Sequence, residues 1–300
     1  MWSIEFFQSF ANPFWDKFFT IATTLAEQYV MMFVIGYFFW CTNRKFAFPF
    51  ILTIMSGFTI NAFLKNLFHI ERPFVRFKDE QLRTLKLDTA TGYSFPSGHT
   101  QSATSVFGII GFMKKGIFKY FGIILVVLIG VSRMYLGVHT IYDVLAGVAV
   151  GAVWAIFGMK LYVILEKKNN PLWYLIYAIP VLLALIFVNP AFPGDTFTLA
   201  GTSLGAIIGV VLENMFVRFE PRTRPANQIL KMFIGIAGGL LFQAGLKPFF
   251  ALFATNGSYL SYGLDFLRYF ICGMWITFGL PLIAKKFINN NLERKDVKNG

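Results

Sequence analysis

Charge is scarce in this chain. Only 14% of its 300 residues are charged while 56% are hydrophobic, which excludes an ordinary soluble domain. The shortage falls mainly on acid, since 15 carboxylates stand against 27 basic side chains for a formal net charge of +12. No soluble basic patch with interleaved aromatics goes with that excess. Nucleic acid is therefore not an expected partner, and the basic residues are read as markers of membrane topology. Cysteine is nearly absent: Cys41 and Cys272 lie far apart inside apolar stretches, without zinc-site or CxxC spacing, which leaves both a structural role. The N-terminus from Met1 to Glu5 lacks the basic region and cleavage site of a secretory signal, so the first span is read as uncleaved. Heptads, low-complexity tracts and internal repeats are missing too.

What the chain has instead is apolar length. A spanning helix needs about 20 largely apolar residues, and such stretches recur near 18–40, 46–69, 99–113, 117–137, 140–163, 171–188, 197–215, 229–250 and 263–284. Residues 3–16 are aromatic and mildly amphipathic, with a break at Asn12-Pro13, and are expected to lie along the interface. The expected fold is all-α, a polytopic membrane helical bundle with about nine transmembrane helices and an N-terminal interfacial helix.

Charge on the breaks orients the bundle. Arg44-Lys45, Lys114-Lys115 with Lys119, Lys167-Lys168, the group Arg218, Arg222, Arg224 and Lys231, and Lys285-Lys286 all follow odd-numbered spans, whereas 189–196 and 251–262 carry no Lys or Arg. The positive-inside rule then places the tail from 285 to 300 in the cytoplasm. Segment 72–98 dissents, with Arg72, Arg76, Lys78, Arg83 and Lys86 on the outer side, offset by Glu71, Asp79, Glu80 and Asp88. A Phe-, Ile-, Lys- and Asn-heavy vocabulary without a targeting signal points to a bacterial plasma membrane. The polar linker 164–171 divides a front half, 1–168, from a four-helix extension, 169–300, of unassigned role. In that extension Glu213, Gln243, Lys247, Asp265 and Arg268 are expected to pair internally, and its spans to shape substrate choice or assembly.

Three polar clusters interrupt the apolar pattern. In the first, Lys65, His69 and Arg72 stand at helical spacing on one face, and Pro73 ends the turn. The second, Ser94-Phe-Pro96-Ser97-Gly98-His99, is a tight turn opening a helix, where free amides and the dipole favour an anion and an imidazole can move protons. The third sets Arg133 six residues before His139, with Asp143 four residues beyond, spaced so that a carboxylate can hold the ring through one nitrogen and leave the other free. Alone, each has an ordinary explanation: snorkelling cations, a capped helix start, a buried structural pair. Together they fall at one membrane face and bring cations, a helix N-terminus, a Ser, one His beside an Asp and a second unpaired His, which is a phosphate site with a nucleophile and an acid. Which His attacks stays open on spacing alone, although only His139 has a carboxylate four residues away. His69 is read as a mouth or structural residue.

Lys65 with six residues before Arg72-Pro73, then Pro96-Ser97-Gly98-His99, then Ser132-Arg133 with five residues before His139 and three more before Asp143, resembles the three-part signature of the type 2 phosphatidic acid phosphatase family. The likeness covers roughly residues 45–150 and leaves the spans after 170 outside it. Residues 1–17 resemble a shortened form of the first element of the family's bacterial enzymes. The resemblance implies that His139 attacks phosphorus, Asp143 orients it and His99 protonates the leaving oxygen. It also implies that Lys65, Arg72, Ser97, the Gly98 amide and Arg133 bind the phosphoryl oxygens, with no metal and no cofactor. Carboxylate clusters suited to magnesium are missing from the motif spans, so charge neutralisation falls to Lys and Arg. The expected function is a metal-independent lipid phosphate or polyprenyl diphosphate phosphohydrolase working through a phosphohistidine at the outer face. Its partners are a lipid phosphate substrate and the bilayer, and its oligomeric state is unassigned. Competing readings are a lipid-to-lipid phosphotransferase, a haloperoxidase, which the membrane setting disfavours, and a non-enzymatic transporter or scaffold using the C-terminal helices.

Overall fold

The computed structural model describes residues 1–78, 82–114 and 116–289. Asp79, Glu80, Lys115 and the tail from 290, which entered the charge reading above, lie outside the described residues. Among the described residues every regular element is helical. In chain order they are α1 (Trp2–Gln8), α2 (Pro13–Thr24), α3 (Gln28–Cys41), α4 (Arg44–Phe68), the single turn α5 (Pro73–Arg76), α6 (Gly98–Lys114), α7 (Ile117–Tyr135) and α8 (Ile141–Glu166). A 3-10 segment, Pro171–Ala178, leads into α9 (Ile179–Ile186), followed by α10 (Pro193–Leu212), α11 (Pro225–Ala251), α12 (Tyr259–Met274) and the short α13 (Leu280–Ile283).

Among the described residues six helical stretches are long and apolar enough to cross a membrane: Arg44–Arg76, Ile117–Tyr135, Ile141–Glu166, Pro193–Val217, Pro225–Ala251 and Tyr259–Ile288. The other three expected spans take shorter forms. The first is broken, with α2 and α3 meeting at 41°, α6 has 17 residues, and Pro171–Ile186 is a shorter apolar helix. The expected interfacial stretch 3–16 is also divided: α1 ends at Gln8, and the Asn12 side chain accepts from the Phe14 and Trp15 amides to start α2 at Pro13. α1 docks at the site end of the bundle, where Gln8 donates to the carbonyls of Arg83 and Tyr135.

Two packings position the site. α6 lies so close to α8 that a Cβ on Gly147 would meet the Ser97 carbonyl at 2.7 Å, an approach open to glycine alone. α4 is clamped between α6 and α10. Asn61 and Gln101 join α4 to α6 through a 2.8 Å side-chain bond, with Gln101 also donating to the Gly57 carbonyl. On the other flank Ser203 donates to the Met55 carbonyl and Asn66 to the Thr196 hydroxyl. α10 is therefore packed against the motif-bearing half.

The end away from the site is tied by basic residues. Arg44 at the start of α4 pairs with the fully buried Glu213 at 2.7 Å and donates to the Phe219 carbonyl. Lys231 donates to the carbonyls of Trp40 and Pro221, and Lys285 to that of Val217. Pairing was expected for Glu213, Gln243, Lys247, Asp265 and Arg268, and four of the five, all but Lys247, show it among the described residues. Glu213 is fully buried but Arg44 is 28% exposed and keeps the Phe219 carbonyl and the Asn214 side chain as acceptors, so Glu213→Ala is expected to cost about 2 kcal/mol, between a surface and a buried pair, read as lowered stability against denaturant in detergent. A loss below about 1 kcal/mol, the value of a surface pair, would show that the pair does not hold α4 to α10.

Candidate active site

Chain direction, more than helix faces, gathers the polar residues. α4 ends at Phe68, because His69 adopts a left-handed conformation (φ 52°) with its amide on the Lys65 carbonyl. The expected single helical face for Lys65, His69 and Arg72 therefore does not form: the chain leaves the helix one turn before Pro73, and Arg72 returns to the site from an extended backbone (φ −72°, ψ 154°). His69 packs edge-on against Tyr93, with ring centroids 5.1 Å apart. The reading of His139 and Asp143 on one helix face is corrected in the same way. α8 begins at Ile141 with Thr140 as its cap, and His139 stands just outside it. A capping box fixes that start. The Thr140 hydroxyl accepts from the Asp143 amide, and the Asp143 carboxylate accepts from the Thr140 amide at 2.7 Å. Gly137, at φ 74°, makes the turn from α7, where a Cβ would run into the Arg83 carbonyl.

Lys65, Arg72, Gly98, His99 and His139 line one cavity of about 530 Å³. The start of α6 lies there, and its first amides have no intrahelical partner, leaving those of Gly98 and His99 as donors for an anion. Arg72, 4% exposed, is held by the carbonyls of Gly92, Thr91 and Val138, with its Nη1 3.2 Å from His139 Nε2. The other ring nitrogen, Nδ1, lies 3.7 Å from Asp143 Oδ2, beyond hydrogen-bond reach, and 3.2 Å from the Ser94 hydroxyl. Burial holds the His139 ring below the usual imidazole pKa range, which favours its neutral form. His99 Nε2 is buried with no hydrogen-bond partner.

Ser97, Arg133 and Asp143 stand behind the cavity wall. The Ser97 hydroxyl is 3.0 Å from that of Thr100, and its amide donates to the Asp143 carbonyl. Arg133 is fully buried, donating from Nη1 to the hydroxyls of Thr23 and Thr89 and leaving Nε without a partner. Two contributions escaped the sequence reading. Ser94 bridges His139 and Asp143, and its only sequence signal is its place at the head of the second cluster. Asp195, Thr196 and Leu199, from the first turns of α10, line the cavity from the extension. The polar pair Asp195-Thr196 at the start of a span is the one sequence feature that could have suggested it, and it does not specify a contact with the distant motif spans.

An all-helical membrane protein with two histidines, a lysine and an arginine around one cavity is the class that fold and site define. The comparisons carry this to a family. Residues 46–167 match the PAP2 superfamily, and residues 197–294 match the PAP2 superfamily phosphatase transmembrane extension. The chain belongs to the PAP2 superfamily. Among curated proteins it is 30% identical over 162 residues to dihydrosphingosine 1-phosphate phosphatase C823.11 of Schizosaccharomyces pombe, covering 50% of this chain and 39% of that protein. It is 39% identical over 72 residues to phosphatidylglycerophosphatase B of Bacillus subtilis, covering 20% and 35% respectively. To lipid phosphate phosphatase delta of Arabidopsis thaliana it is 26% identical over 169 residues, covering 49% and 38%. The chain thus spans well under half the length of each of these relatives. The crystal structure of LpxE from Aquifex aeolicus is similar with 28% identity and a TM-score of 0.47, over 52% of this chain and 92% of that one.

Proposed function

We propose that this protein is a metal-independent phosphohydrolase of membrane lipid phosphates or polyprenyl diphosphates, working through a phosphohistidine at His139. The carrying observation is the His139 ring, whose Nε2 faces the cavity shared with Lys65, Arg72 and His99. In the first step the Nε2 lone pair forms a bond to phosphorus and the bond from phosphorus to the leaving oxygen breaks. His99 gives that oxygen its proton. Lys65, Arg72 and the Gly98 amide neutralise the phosphoryl oxygens. Ser97 and Arg133 join them by turning from Thr100, Thr23 and Thr89 toward the bound group. In the second step a water, losing its proton to His99, attacks phosphorus and returns His139 with inorganic phosphate. The names of the relatives set the substrates to try.

We assign nine membrane crossings by adding the bent α2–α3 pair, α6 and Pro171–Ile186 to the six long helical stretches, with α1 in the interface. Residues 1–168 form the catalytic unit, and 169–300 extend it. The site opens on the outer face of a bacterial plasma membrane, and the C-terminus is cytoplasmic.

The test is phosphate release by the full chain in detergent from phosphatidate, phosphatidylglycerophosphate, dihydrosphingosine 1-phosphate and a polyprenyl diphosphate. Release from at least one is expected to persist in EDTA and to be inhibited by vanadate, a five-coordinate mimic of phosphorus in transfer. No release from any of them would sink the reading, and release lost in chelator and restored by magnesium would overturn its cation-only site. A phosphorylated lipid acceptor appearing in place of free phosphate would make the protein a transferase.

A further inference from the structure

The contact between His139 and Asp143 is not made by those two residues alone. Ser94 is 1% exposed, and its hydroxyl lies 2.8 Å from Asp143 Oδ2 and 3.2 Å from His139 Nδ1, while the carboxylate and the ring stay 3.7 Å apart. A hydroxyl has one proton to give and lone pairs to accept with, whereas an ionised carboxylate only accepts. Ser94 must therefore donate to Asp143, which leaves its oxygen to accept the Nδ1–H of His139. The other nitrogen gives the same answer independently. Arg72 Nη1 can only donate, so at 3.2 Å it requires a lone pair on Nε2. Both ends of the ring call for the tautomer with its proton on Nδ1 and its nucleophilic pair on Nε2.

We propose that Ser94 is a positioning residue for the nucleophile, relaying the charge of Asp143 to His139 and fixing the attacking tautomer. The inference rests on His139 as nucleophile. No proton leaves Nδ1 in the step: as Nε2 bonds to phosphorus the ring becomes cationic, and the Ser94 oxygen, polarised by its bond to Asp143, faces that charge. The backbone keeps Ser94 in place from both sides. Its amide donates 2.7 Å to the Ile70 carbonyl, just past the end of α4, and the nearby Ser97 amide donates 3.0 Å to the Asp143 carbonyl at the start of α8. Asp143 is itself anchored at Oδ2 by the amide and hydroxyl of Thr140, at 2.7 and 3.0 Å. It is not free to close on the ring without giving up helix-capping bonds.

A double-mutant cycle tests the relay, with Ser94→Ala, Asp143→Asn and the pair measured on whichever lipid phosphate the protein turns over. Asparagine can keep all three bonds at the Oδ2 position with its amide oxygen, so it removes the charge alone. Ser94→Ala is expected to lower kcat about a hundred-fold, the scale for one lost preorganised hydrogen bond at a reacting centre, with KM changed less than about threefold. The double variant should be no slower than the worse single one, because residues acting in series do not add. Ser94→Thr, which keeps a hydroxyl, should recover most of the rate, and each variant's thermal stability separates rate loss from unfolding. Multiplying losses, or a Ser94→Ala rate within threefold of the parent in a folded protein, would overturn the relay. Retained turnover in His139→Ala would instead remove the nucleophile assignment on which it rests.

Discussion

His139→Ala is expected to abolish turnover, with a loss on the order of a million-fold, the scale seen when a covalent nucleophile is removed from an active site. Quenching the parent protein with labelled lipid phosphate should trap a phosphoenzyme that is labile in acid and stable in base, as a phosphoramidate is, and the variant should trap none. The expectation follows from the ring's setting: one nitrogen is engaged with Ser94, and the other faces the cavity beside Arg72. Because His139 is 1% exposed, alanine leaves a void, so the variant's thermal stability must be read beside its rate. A folded variant that still traps phosphate would move the nucleophile elsewhere, with His99 the next residue to replace.

The second large effect is all or none. A cysteine at Leu87, exposed in the segment between α5 and α6, should react with a membrane-impermeant maleimide in intact cells, and one at Lys168 should not. Cys41 and Cys272 are buried, and replacing them gives a clean background. α8 has 26 residues and is about 39 Å long at 1.5 Å per residue, enough to put Asp143 and Lys168 at opposite surfaces of a bilayer. The basic residues gathered at the far end, Arg44, Lys231 and Lys285 among them, favour the cytoplasm for it. The basic segment 72–98 argues the other way, and the structure accounts for part of it. Arg72 serves the cavity, Arg83 pairs with Asp16 and Lys86 with Glu27, so three of its five cations are bound locally. The reverse labelling pattern would assign the site to the inner leaflet and leave the chemistry standing.

The helical class and the convergence of Lys65, Arg72, Gly98, His99 and His139 were legible in the sequence, because apolar length sets the spans and the polar clusters sit at span ends that alternate between faces. What was not legible depends on backbone geometry without a residue signature. His69 ends α4 in a left-handed conformation with neither Gly nor Asn to announce it, so the stop read from Pro73 came too late. The break between α2 and α3 falls at residues 25–27 with neither proline nor glycine there, and a continuous apolar stretch was read as one span. Spacing four does bring the Asp143 carboxylate to 3.7 Å from His139 Nδ1, yet without a direct hydrogen bond. Spacing cannot reveal that α8 starts after His139, nor that a serine 45 residues upstream fills the gap. The extension's share in the cavity was hidden for a simpler reason, since contacts between distant spans leave no periodic trace.

That share bears on how such a protein can change over time. His139, His99, Lys65 and Arg72 lie in residues 46–167, while Asp195, Thr196 and Leu199 reach the same cavity from α10, in a part of the chain that matches a separate extension only from 197 onward. On the proposed function, substitutions in those turns of α10 are expected to alter what meets the incoming head group without touching a reacting atom. If the proposed mechanism holds, the turns of α10 that face the cavity and the residues that break the bond are separable by substitution, so the lipid accepted can be changed from the extension without disturbing the chemistry.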